Sequence, residues 1–311
     1  MTDNTMRAVR FYDYGPPENL VVERVPRPEP KAGEVLVRVH AAGVNPVDWK
    51  IRKGLLKSNM PVSLPSTPGA DLAGIVEAVG PGVTAFQKGQ AVFGRATGSY
   101  AEYAIAPAGS LAPKPRDLTF DQAASIPIGA CTAWKAIFDV GGLQAGQRLL
   151  VHGAAGGVGS FAVQFGRWKG AHVMGTASAS NIEFVRSLGA ETVIDYNATP
   201  FESVIHDVDV VLDTVGGAVQ DRSWQVLRQG GILVETAGPA PEETAKEFGV
   251  RASNVQSNVT TDLLKQISDL IESGALVPET GRIFSLEEAS KAHALSETGH
   301  GRGRIVLHIA G

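Results

Sequence analysis

Glycines at 153, 156, 157 and 159 separate the apolar run LLVH (149–152) from a segment of helical rhythm. In that segment Val158, Phe161, Ala162 and Phe165 recur at i, i+3, i+4 and i+7, the spacing of one helix face. Glycines at a strand-to-helix turn suit the binding of a dinucleotide. One permits the tight turn, one lets the main chain approach the pyrophosphate, and one lets helix and strand pack closely. The phosphates then meet free N–H groups and the positive end of the helix dipole. The spacing is Ala154-x-Gly156-x-x-Gly159, with Ala where the first glycine of the fingerprint usually stands. A Gly-rich turn alone also suits a plain structural bend. Its place after one strand pattern and ahead of four more is what points to a dinucleotide.

The end of the next strand pattern selects the dinucleotide. An NAD site usually places Asp or Glu there, about 20 residues on, to bind the ribose hydroxyls. Here the chain reads GTASASN, with Thr176, Ala177, Ser178, Ala179, Ser180 and Asn181, and no acid before Glu183. Small hydroxyl residues can hydrogen-bond a 2′-phosphate that an acid would repel, so the expected cofactor is NADP(H). Ser178 and Ser180 would equally well cap a helix beginning near Ile182.

The surrounding elements fall into two groups. Up to about Gly109 the chain shows short β-like runs broken by Pro and Gly: MRAVRF, NLVVERV, EVLVRVHAAGV, DLAGIVEAVG, QAVFGR and SYAEYAIA. After APKPRDLTFDQAAS, apolar strands (RLLVH, AHVMGT, TVIDY, VDVVLD, GILVET) alternate with helical patterns such as NIEFVRSLGA and AVQDRSWQVLRQGG. The glycines closing the second pattern suit a C-cap. Such alternation implies a parallel sheet covered on both faces. TTDLLKQISDLIESGAL is amphipathic, with Leu263, Ile267, Leu270 and Ile271 at helical spacing, and the β-like tail GRGRIVLHIA suggests a return to the first domain.

Composition narrows the classes. With 311 residues, 43% hydrophobic and 19% charged, the chain is expected to be a soluble two-domain globular protein. A net charge of −4 argues against nucleic acid or an anionic membrane as partner. The single cysteine, Cys131, excludes an internal disulfide and a multi-thiolate zinc site, and by its context it is inert packing. The start MTDNTMRAVRF has no apolar signal core, so the expected location is the cytoplasm. The seven histidines, His40 among them, show no helical i, i+4 pair, and no metal is expected.

Eight ordered segments carry a family resemblance over nearly the whole chain: AAGVNPVDWKIRKG, PSTPGADLAGIVEAVG, GSYAEY, AASIPIGACTAWKAI, VHGAAGGVG, SLGAETVIDY, VVLDTVGG and GHGRGRIVLHI. They resemble the medium-chain dehydrogenase/reductase superfamily in its zinc-independent quinone oxidoreductase branch. The resemblance implies an α/β fold: a GroES-like β-barrel domain (1–124, completed by 278–311) and a Rossmann doubly wound parallel sheet (125–277). It also implies an active site in the cleft between them and a homodimer. In the alcohol dehydrogenase relatives a Cys and a His occupy zinc-ligand places held here by Asn45 and Ala70. Without that Lewis acid alcohol oxidation is disfavoured. The Tyr-x-x-x-Lys pair of short-chain reductases is missing, because the residues four places after the five tyrosines are Pro16, Glu18, Ala104, Pro107 and Pro200.

What remains is hydride transfer to a small electrophilic substrate, a quinone or an α,β-unsaturated carbonyl, whose oxygen gains charge that a cation can stabilise. By resemblance that cation is Lys50, where many quinone oxidoreductases carry Tyr and the plant alkenal and enone reductases carry Lys. Asn45 and Asp48 would orient Lys50 or the nicotinamide amide, although either equally suits an Asx turn beside Pro46. The same resemblance assigns Thr132 to the nicotinamide and Ala155, Gly156, Gly157 and Val158 to the pyrophosphate turn. Ser178, Ala179, Ser180, Asn181 and Tyr196 would surround the 2′-phosphate and adenosine. Val215, Ala237, Gly238, Arg302, Gly303 and Arg304 are further cofactor contacts. The other readings are a trans-2-enoyl thioester reductase and a non-catalytic crystallin-like or RNA-binding relative.

Overall fold

The computed structural model describes residues 4–310. Its chain divides into two compact units, one up to Ile128 and again from Val259 onward, the other Gly129–Asn258.

The first unit begins with β1 (Thr5–Arg10), β2 (Val21–Pro26), β3 (Glu34–Val44), helix α1 (Pro46–Arg52), β4 (Asp71–Val79), β5 (Ala91–Arg95), β6 (Tyr103–Pro107), β7 (Leu111–Pro113) and α2 (Phe120–Ala124). The boundary falls within α3 (Pro127–Trp134). The second unit continues with β8 (Arg148–His152), α4 (Gly159–Lys169), β9 (His172–Ala177), α5 (Ile182–Ser187), β10 (Thr192–Asp195), β11 (Val208–Asp213), α6 (Ala218–Ser223), β12 (Leu227–Glu235), α7 (Glu242–Glu247) and β13 (Arg251–Asn254). The chain then re-enters the first unit through α8 (Thr261–Glu272), β14 (Thr280–Ser285), α9 (Ala289–Glu297) and β15 (Arg304–His308).

In the first unit β3 is the organising strand, pairing with β4, β6 and β15 in an antiparallel sense. Val35, Val37 and Val39 alternate along it and are fully buried with Leu72, Val92, Leu111 and Leu307. Where β15 pairs with β3, Ile305 faces Val44 and His308 faces Ala41. Helix α8 also belongs here. Its Leu264 and Ile267 are buried, and the Thr261 hydroxyl donates to the Leu111 carbonyl at 2.7 Å. The expected domain boundary had grouped this helix with the dinucleotide domain.

The second unit is a six-stranded sheet ordered β10-β9-β8-β11-β12-β13, every pairing parallel. That is the doubly wound order, whose direction reverses between β8 and β11, where ligands of such sheets bind. Central strands are almost continuously buried, as a sheet covered on both faces requires. Helix α4 buries Phe161, Ala162 and Phe165. At its Gly166 a Cβ would stand 2.8 Å from both Leu149 and Val173, so glycine lets the helix lie close to the sheet.

One expected helix is shorter than its pattern. AVQDRSWQVLRQGG is helical only through α6 and a following single turn, and β12 already begins at Leu227. Gly230 and Gly231 therefore lie inside a strand and do not cap a helix. No helix among the described residues is long and apolar enough to cross a membrane.

Candidate active site

Because the strands of the second unit are parallel, the loops that follow β8, β9, β10, β11 and β12 all leave from one edge of the sheet. The first of these is the Gly-rich turn. Its residue of positive φ is Gly153, at +67°, one place before the Ala154 that stands at the first fingerprint position. Ala154 is fully buried instead, and a Cβ on Gly175 would lie 2.8 Å from its methyl group. A Cβ on Gly159 would collide with the Gly153 carbonyl and come within 2.9 Å of the Ala154 Cα. Ala155 is buried, whereas Gly156, Gly157 and Val158 are half-buried. No backbone carbonyl accepts from the N–H of Gly157 or Val158, at the positive end of α4. Open amides at a bare helix start fit a pyrophosphate.

The residues beyond β9 form a small polar cluster. Asn181 Nδ2 donates to Ser178 Oγ at 3.0 Å, and the hydroxyls of Ser178 and Ser180 lie 3.3 Å apart. Neither serine caps the backbone: the turn at Ala179–Asn181 and helix α5 both start without a side-chain cap bond. The competing capping role is therefore not the one adopted. Tyr196 is 44% exposed after β10, and Thr132 on α3 is nearly buried. After β11 and β12 the N–H groups of Val215, Ala237 and Gly238 are taken by the Asp213 and Glu235 carboxyls. What these three residues present to a ligand is side chain and carbonyl, not donors.

In the first unit, α1 carries the candidate catalytic residues. Asn45 precedes the helix, and its N–H is accepted by Asp48 at 2.8 Å, the reciprocal arm of a capping box. Asn45 and Asp48 are 1% and 4% exposed. Asp48 also accepts from the Tyr100 hydroxyl at 3.0 Å, and the Asn45 amide donates to Asp71 at 3.0 Å. Burial pushes Asp48 up to about 7 and Asp71 up to about 6, against the pull of these donors and of Arg304. Asn45 and Asp48 thus both take part in seating the start of the helix in the fold.

Lys50 differs from its neighbours. It is half-buried, its ammonium lies 5.8 Å from the Trp49 ring centroid, and among the described residues no carboxylate lies within ion-pair distance. Arg52 at the end of the same helix and Lys53 just after it both pair with Glu297 of α9. Lys50 is therefore the α1 cation that is not neutralised.

The three tail residues separate. The Arg302 side chain is 58% exposed, and Gly303 takes φ +67° against the Glu279 carbonyl. Arg304 turns inward, at 4% exposure, and donates to Asn45 Oδ1 at 2.6 Å and Asp71 Oδ2 at 2.9 Å. The sequence reading missed the polar residues that hold these loops, above all Asp71, Tyr100, Asp213 and Glu235. The last two did leave a signal, since VVLD and GILVE each end a buried apolar run on an acid.

The alcohol dehydrogenase GroES-like domain profile matches residues 31–116, and the zinc-binding dehydrogenase profile matches 188–307. A quinone oxidoreductase from Mus musculus is 37% identical, covering 97% of either chain. A 2-methylene-furan-3-one reductase from Solanum lycopersicum is 33% identical, covering 97% of this chain and 79% of its own. A mycobacterial protein whose structure contains NADPH matches with a TM-score of 0.89 at 30% identity, over 97% of this chain and 99% of that one. A β-rich GroES-like unit joined to a doubly wound dinucleotide sheet defines the medium-chain dehydrogenase/reductase class. Within it, the chain belongs to the quinone oxidoreductase branch.

Proposed function

We propose that the protein is an NADPH-dependent, zinc-independent reductase of α,β-unsaturated carbonyls or quinones. The observation that carries the acceptor chemistry is Lys50, a half-buried ammonium with no carboxylate partner among the described residues, on a helix whose other basic side chain, Arg52, is paired. NADPH supplies a hydride when bound. An enone takes it at the β-carbon, its π electrons move to oxygen, and the enolate then gains a proton at the α-carbon. A Lys50 ammonium beside that oxygen stabilises the charge as it develops. The names of the mouse and tomato relatives support this pair of substrate classes, and the NADPH-bound relative supports the cofactor. Asn45, at a zinc-ligand place, has its amide engaged by Arg304 and Asp71. A homodimer is part of the reading, carried by the family resemblance.

The test is NADPH oxidation measured against a quinone, an alkenal, an enone and an enoyl thioester, with and without a chelator. Turnover on the first three, unaffected by chelation, is the expected result. Turnover on the thioester alone would transfer the assignment to enoyl thioester reduction, and stoichiometric bound zinc by elemental analysis, with activity lost on its removal, would end the metal-free reading.

A second expectation concerns Ser178. With its hydroxyl free of capping duty, Ser178→Asp places an anion where a 2′-phosphate would sit. NADPH affinity should fall about tenfold or more through repulsion, while NADH is spared. Fluorescence titration with both cofactors checks it, and equal losses for the two would remove the 2′-phosphate from this cluster.

A further inference from the structure

We infer that Asp213 and Glu235 are positioning residues for the dinucleotide: a carboxyl pair that shares one proton and so holds loops 214–217 and 236–238 in place. The inference rests on the NADP(H) reading above. Strand register sets His152, Asp213, Glu235 and Asn254 side by side at the ends of β8, β11, β12 and β13. Residues in register across a parallel sheet share a face.

Each acid folds back the loop that leaves its own strand. Asp213 Oδ1 accepts from the N–H groups of Val215 at 2.8 Å and Gly216 at 3.0 Å. Glu235 Oε1 accepts from Ala237 at 2.6 Å and Gly238 at 3.1 Å. The second loop is also tied to the end of β11, because the Thr236 N–H donates to the Asp213 carbonyl at 3.0 Å. From α6, Gln220 Nε2 bridges Glu235 Oε2 and the Pro239 carbonyl, both at 2.8 Å.

The two carboxyls are 0% exposed, and among the described residues no Arg or Lys pairs with or pulls on either. From β8 the neighbour is His152, whose burial drives its pKa down to about 3 and which bonds to Thr176 and Ser223 as a neutral ring. From α6 come Gln220 and Ser223, while Arg222 is turned to Glu202 at 3.3 Å and Asp221 is exposed. From β13 comes Asn254, which donates to the Gly238 carbonyl at 2.6 Å.

Two adjacent buried carboxylates without a counter-charge cannot both ionise cheaply. Asp213 Oδ2 is buried with no N–H or O–H donor, and a proton on Glu235 supplies one. Burial raises both acids above the ordinary carboxylate range, and the charge on Asp213 raises Glu235 further. A raised carboxyl is stabilising in its protonated form. The contact is therefore complete at low pH and is lost as pH rises through the second ionisation of the pair.

Asp213→Asn is the discriminating variant, because its Oδ1 still accepts both loop N–H groups and its Nδ2 donates to Glu235 at every pH. NADPH dissociation constants are measured by fluorescence between about pH 6 and about pH 9, the range of buried carboxyls. The wild type should weaken about tenfold more than Asp213→Asn over that span, and parallel profiles would overturn the pair. Amide hydrogen exchange in cofactor-free wild type, referenced to the β8 amides, is the second measurement. Protection of 214–217 and 236–238 should fall with rising pH relative to β8, and a constant ratio would likewise overturn the pair. Loss of protection without any NADPH binding would leave the pair standing and sink the cofactor reading instead.

Discussion

Replacing Lys50 with Met lowers kcat and kcat/KM for an enone together, by about ten- to a thousandfold, the range of a lost oxyanion donor. Methionine keeps much of the apolar stem beside Trp49 and removes the ammonium. Because no carboxylate pairs with Lys50, its loss breaks no ion pair and leaves the seat of α1 intact. That seat depends on Asn45, Asp48 and Arg52, none of which is altered. A folded variant with a unchanged NADPH dissociation constant and depressed kcat is the expected result. A raised KM for NADPH with kcat intact would make Lys50 a cofactor-holding group, and unchanged constants would make it an ordinary loop lysine.

Much of this site was legible because its signals are local. The strand, the glycines and the helix at 148–169 are contiguous, and the change from period 2 to period 3.6 marks the turn without any tertiary knowledge. The positive φ of Gly153, one place before Ala154, is visible only in the structure. Asn45 and Asp48 were ambiguous for a physical reason. N-P-V-D suits a turn beside Pro46 and also a short catalytic loop, and that both side chains are buried and held by Asp71, Tyr100 and Arg304 is visible only in the fold. Strands β13 and β14 went unread because RASN and TGRIFS lie at sheet edges with half-exposed side chains, so no apolar alternation is imposed on them. The burial of Arg304 was beyond reach of local pattern, since its partner Asp71 lies 233 positions away and meets it only when β15 pairs with β3.

Arg304 therefore yields the second large effect, and on stability. The tail GRGR placed it among cofactor contacts, yet its guanidinium is 4% exposed and held by Asn45 and Asp71. Removing one partner of a buried ion pair leaves the other charge without compensation, at a cost of about 3–5 kcal/mol. Arg304→Met should lose about that much in urea unfolding near pH 8. The pH dependence has a defined sign. Asp71 titrates at about 6, raised by burial and pulled back down by Arg304, so the variant's Asp71 must lie higher still. Below about pH 6 the carboxyl is neutral in both proteins and the deficit shrinks; above it the deficit grows as the unpaired charge is forced to form. Arg302→Met is the control, because that side chain is 58% exposed and its loss should leave the unfolding midpoint unchanged. If Arg304→Met instead unfolds like wild type and only the NADPH dissociation constant rises, Arg304 belongs to the cofactor and the buried pair contributes little to the fold.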